Sequence, residues 1–152
     1  MTSSDWLTPV VLILAAALMV ESVRQLRRRW VLVKVEGASM EPALRDGDEV
    51  LAKRTRRVAV GDIVVVAAPD PELGWAEAPS AKPASRTSAR RAKAPWWVKR
   101  IAAGPGDPMP GSTGTVPPGH YFLLGDNPAG ADSRRHGPVP ARLVLGTMIR
   151  KF

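Results

Sequence analysis

The hydrophobic pattern changes character once along the chain. Residues 6–20 read WLTPVVLILAAALMV, an uncharged run that extends to Val23 only by admitting Glu21 and Ser22. Short β-branched or aromatic runs follow at 31–35, 49–53, 63–68, 96–102, 121–124 and 143–149. Turn signals separate them, among them Asp46-Gly47, Gly61-Asp62, Pro105-Gly106-Asp107 and Pro117-Pro118-Gly119. Such side chains fit a pleated, half-buried surface, and no helical period competes with them after residue 35. The pattern predicts a mostly β domain over 31–152, a folded sheet or a closed or partly open barrel, preceded by one apolar helix.

Crossing a membrane takes about 20 apolar residues, with about 17 as a lower limit, so 6–23 reads as a short span or a signal-peptide core. Arg24, Arg27, Arg28 and Arg29 follow the run instead of preceding it, and no small-residue cleavage motif separates it from the domain. A secretory signal has the opposite polarity, which favours an uncleaved single-pass anchor. The same arginines, by the positive-inside rule, would hold the domain on the cytoplasmic side.

Between 69 and 95 the pattern lapses into PDPELGWAEAPSAKPASRTSARRAKAP, with five prolines and no acid from Ser80 onward. This composition predicts a flexible surface insertion within the β domain.

A chain of 152 residues with 45% hydrophobic content supports one modest core. The absence of cysteine excludes disulfide frameworks, thiolate nucleophiles and cysteine-zinc sites. His120 and His136 lack metal-ligand spacing, so neither a metal nor another cofactor is expected. The net charge of +8 raises nucleic acid or an anionic membrane as a partner. Ten of the 22 basic residues lie beside the apolar run (Arg24, Arg27, Arg28, Arg29, Lys34) or in the insertion (Lys82, Arg86, Arg90, Arg91, Lys93). That placement favours lipid, where each basic residue gains about 1 kcal/mol, and no nucleic acid is expected.

Two residues carry candidate chemistry. Ser39, in VEGASMEPALRDGDEVLAK (35–53), follows a strand and a glycine and precedes Met40 and Pro42, which places it on a tight, exposed loop. By itself it is an ordinary turn serine. Lys99, in WWVKRIAAGPGD (96–107), sits in an apolar strand whose alternation sets Trp97, Lys99 and Ile101 on one face and Val98, Arg100 and Ala102 on the other. By itself it is a surface lysine whose stem covers apolar neighbours. A desolvated lysine, however, exists as the neutral amine that accepts a proton from a serine hydroxyl, which the guanidinium of Arg100 does not.

Three blocks in matching order give the chain its resemblance to a known family: GASMEPAL with GDEVLAKR and GDIVVV, then VKRIAAGPGD, then GDNPAGADSRRHGPV. The sequence resembles signal peptidase I, the peptidase S26 family, in particular a small actinobacterial-type or nickel superoxide dismutase maturation-type member. The resemblance implies a serine endopeptidase with Ser39 as nucleophile and Lys99 as general base, working through an acyl-enzyme. It further implies an extended precursor polypeptide as substrate, with small residues at −1 and −3 before the cut, and a membrane-bound domain facing outward. Gly125-Asp126-Asn127 and Asp132-Ser133-Arg134 resemble the family's support layer, with Asp132 and Arg134 steadying loops, while Gly37 and Met40 flank the nucleophile.

Two positions depart from the family pattern. Gly37 stands where many members carry a serine hydroxyl that assists the oxyanion hole. Gly130 aligns with a serine that holds the lysine amine, and the interval from GDN to DSR is one residue short; Ser133 or a backbone carbonyl is the candidate substitute. Two other readings share these residues: a LexA-like self-cleaving peptidase, which lacks the GDN…DSR…GPV block, and an inactive membrane-tethered peptide-binding module.

Overall fold

The computed structural model describes residues 7–69, 74–75 and 96–152, except for the side chains of 7, 8 and 26–28. The elements are α1 (Leu7–Arg29), β1 (Trp30–Lys34), β2 (Glu49–Arg54), β3 (Ile63–Ala67), β4 (Trp96–Ala103), β5 (His120–Leu124), α2 (Ser133–His136), β6 (Val139–Pro140) and β7 (Val144–Lys151), with a 3-10 turn at Ala141–Leu143. The strands form one curled antiparallel sheet in the order β1-β2-β7-β3-β4-β5-β6, a half-barrel. Its open edges make it the partly open form of the architecture expected.

Burial explains why the strands read as they do. All five residues of β3, IVVVA, are buried, because both faces of the sheet are covered there. Ile63 and Val65 join Val33, Val50, Val98 and Leu145 on one side. Val64 and Val66 join Ile101, Leu123 and Leu143 on the other. A strand covered on both faces reads as a continuous apolar run, whereas β2, nearer the edge, alternates. In the register, Lys99 lies opposite Val64 and Val98 opposite Val65, so β4 also divides its side chains between two cores.

All six strand-like runs form strands. The pattern missed β6 and α2, whose two and four residues are too short for any period to register. Local chemistry accounts for α2: the Asp132 carboxylate accepts from Arg134 N at its start, and Gly137 closes it at φ 75° with its N–H on Ser133 O.

Most of the insertion expected over 69–95 lies outside the described residues, as do its basic residues. Trp75 within it is 7% exposed and belongs to the second core, so the insertion contributes to the packed structure.

α1 runs directly into β1 and leaves its apolar side chains outside both cores: Val11, Leu12, Ile13 and Leu14 are 58–68% exposed. Among the described residues no helix is long and apolar enough to cross a membrane. The spanning anchor expected over 6–23 is therefore not found within them; Trp6 and the side chains of Arg27 and Arg28 lie outside the described residues.

Candidate active site

Ser39 is carried by the loop between β1 and β2. Two backbone bonds close the base of that loop, Val35 N to Asp48 O at 2.8 Å and Gly47 N to Val35 O at 2.9 Å. Met40 and Leu44, 0% and 1% exposed, sink into the first core and pull the loop onto the sheet. Met40 is thus a packing anchor of the loop that carries Ser39, inaccessible to a substrate. Gly37 has φ +81°, a conformation that strains any side-chain-bearing residue, and its N–H donates to Asp46 Oδ1 at 2.7 Å. A serine at 37 would have to leave this turn, and the Gly37 amide is already engaged.

From the opposite side, β4 presents Lys99, 3% exposed, with its Nζ hydrogen-bonded to Ser39 Oγ at 2.6 Å. Burial pushes the amine down to about 8; the Asp132 carboxylate opposes that shift and Arg134 reinforces it. Residues 34–36 and 96–99, with Ser39 and Ala131, enclose a cleft of about 160 Å3 at this contact.

The segment between β5 and α2 clamps the serine from a third direction. Asn127 N donates to Ser39 O at 3.1 Å and Asn127 Nδ2 to Ala38 O at 3.0 Å. Gly125 and Gly130 permit this approach. A Cβ on Gly125 would collide with Ser39 O, and one on Gly130 would stand 2.7 Å from Ser39 Cβ. The apparent loss of a hydroxyl at 130 is therefore a steric requirement of this chain: there is no room beside Ser39 for a larger residue.

The remaining support residues act at greater distance. Asp132, 1% exposed, accepts from Gly125 N and from Arg134 N, Nε and Nη2. Burial alone would raise its pKa, but the Arg134 bonds and the Gly125 amide outweigh it and hold the carboxyl below the usual range. Ser133 Oγ accepts from Leu123 N at 2.9 Å, which makes Ser133 a tie between α2 and β5. The hydroxyl proposed to replace the one at 130 is thus engaged elsewhere, and among the described residues Lys99 Nζ bonds to Ser39 Oγ alone. Asp126 pairs bidentately with Arg100, both bonds 2.8 Å, and Arg100 Nη1 reaches Gly61 O. Arg100 was not singled out from the sequence; its alternation opposite Lys99 and the acid of the GDN block were the available signal. Among the described residues no three acidic or histidine side chains group to hold a metal.

The family model for signal peptidase, peptidase S26, matches residues 4–110 and 108–152. The chain belongs to the peptidase S26 family. No curated protein matches it. Membership implies a serine-type peptidase acting on precursor polypeptides, and the buried lysine–serine contact lies within the matched residues.

The Gly130 geometry yields a prediction opposite to the one its alignment suggests. Gly130→Ser pushes Ser39 away from Lys99 and lowers peptidase turnover by about 100-fold, the usual cost of a 1 Å misplacement. Equal or higher turnover of a correctly folded variant contradicts the steric account.

Proposed function

We propose that this protein is a serine endopeptidase that removes signal peptides or N-terminal extensions from precursors, with Ser39 as nucleophile and Lys99 as general base. The single observation that carries the reading is the 2.6 Å contact between Ser39 Oγ and an amine only 3% exposed. Neutral Lys99 takes the Ser39 proton as Oγ bonds to the scissile carbonyl carbon. The resulting ammonium gives that proton to the departing amine as the C–N bond breaks, leaving an acyl-enzyme. Lys99 then deprotonates a water, which attacks the ester and restores the Ser39 hydroxyl.

The Ser39 amide is the proposed oxyanion donor, since no described residue accepts from it and the Gly37 amide is bound to Asp46. One such donor supplies about 3 kcal/mol of transition-state stabilisation. An extended substrate fits beside residues 34–36, and a cleft of about 160 Å3 favours small residues at −1 and −3.

Residues 9–20 of α1 are uncharged and exposed, and a helical stretch of that kind belongs in an apolar medium. We therefore assign this stretch to lipid, with Arg24 and Arg29, which follow it, at the anionic headgroups. The domain is taken to face outward, where secretory precursors emerge.

Two experiments test these assignments. On an Ala-x-Ala precursor, Ser39→Ala and Lys99→Met fold but do not cleave. In the wild type kcat/KM climbs with pH to a plateau above about 8, because only the neutral amine is a base and protonation removes it below that pH. Turnover retained in Lys99→Met refutes the dyad, and turnover confined to the chain's own backbone favours the self-cleaving alternative. For α1, alkaline washing of membranes from expressing cells leaves the chain in the pellet; quantitative release into the supernatant contradicts lipid insertion.

A further inference from the structure

Three aromatic rings from three separate parts of the chain meet beside Lys99. Trp97 is two residues before Lys99 on the same face of β4, His136 ends α2, and Trp75 comes from the 69–95 insertion. The Trp97 ring meets Trp75 edge-on at 5.7 Å and 86°, and His136 at 5.4 Å and 72°. Trp75 and His136 also meet each other, at 6.2 Å and 75°. Trp75 is fixed at its polar tip as well, because Nε1 donates to Gly137 O at 3.2 Å. The Trp97 ring lies 5.1 Å from Lys99 Nζ.

We propose that Trp97 is a positioning residue for Lys99, and that Trp75 and His136 act on the amine by holding the Trp97 indole in place. The proposal rests on the Ser39–Lys99 reading and extends it to a residue of the insertion.

A lysine side chain has four rotatable bonds, and its amine is placed only as well as its surroundings confine it. Among the described residues hydrogen bonding confines Lys99 at one point, Ser39 Oγ, because Gly130 carries no hydroxyl and Ser133 is bound to Leu123. Packing must supply the rest, and the Trp97 ring is the large group against the amine. Edge-to-face contacts fix ring orientation as well as position, so two perpendicular neighbours leave the indole little freedom to turn away. The ring also lines the cleft that holds Lys99 and Ser39.

Several charged or titratable groups surround Lys99. Asp132 and Arg134 approach from the loop before α2 and from α2 itself, His136 lies behind Trp97, and Lys34 and Glu36 stand at the cleft opening. Asp132 is saturated by Arg134, so removing the indole admits water as the principal new partner of the amine.

The test is the pH profile of kcat and kcat/KM on an Ala-x-Ala precursor for the full chain and its variants, each checked for folding by circular dichroism. Trp97→Ala is expected to move the acidic limb up, as hydration of the amine outweighs loss of the ring-face contact that favours the ammonium, with kcat lowered and KM little changed. Trp75→Ala moves it the same way by less, and Trp75→Phe, which keeps an edge-on ring, restores most of the wild-type profile. An unmoved acidic limb in folded Trp97→Ala overturns the proposal. So does a Trp75→Ala variant that loses only thermal stability, and the two Trp75 variants decide the matter if Trp97→Ala does not fold. Loss of the dyad reading has a separate signature, cleavage that survives Lys99→Met.

Discussion

A lysine amine that is 3% exposed holds its proton less tightly than one in water, and burial brings Lys99 down to about 8. The carboxylate within electrostatic reach is Asp132, and Arg134 occupies it with one backbone and two side-chain donors while the Gly125 amide takes a further lone pair. Arg134 therefore acts twice. It takes up the hydrogen-bonding capacity of Asp132, whose charge still favours the ammonium, and its own charge disfavours the ammonium directly. What remains for Lys99 is Ser39 Oγ, the contact on which the proposed chemistry depends.

The fold holds the two halves of that contact independently. β4 is an inner strand paired on both sides, by β3 and β5, so Lys99 starts from a backbone with little freedom. Ser39 is on a loop, and three unrelated devices fix it: Met40 and Leu44 in the core, the Gly37–Asp46 turn, and the Asn127 clamp on the peptide groups of Ala38 and Ser39. The clamp requires close backbone approach, which glycine at 125 and 130 allows. Asp126 and Arg100 anchor the same segment to β4, so the strand that carries Lys99 also locates the loop that positions Ser39.

Much of this was legible in the sequence because its signals are local. Six apolar runs between turn residues gave six strands, and alternation alone put Lys99 with Trp97 and Ile101 and opposite Val98 and Arg100. The rest depends on contacts between distant segments. Gly130 read as a missing hydroxyl, yet its meaning is the Ser39 Cβ 2.7 Å away, across 91 positions of chain. Met40 read as part of the reactive surface and is fully buried. Trp75, within a stretch whose composition signals disorder, is anchored by a histidine and a carbonyl more than 60 residues downstream.

The account stands most directly on the protonation of one side chain. Selective isotope labelling of lysine ε-carbons, followed by nuclear magnetic resonance across pH, reads each amine separately, and Lys99→Met assigns the signal that matters. The account predicts a lysine signal that titrates near 8 and is absent from Lys99→Met. A Lys99 signal at the ordinary lysine value of 10.5 would contradict it, since the neutral amine would then be too scarce near neutral pH to serve as a base.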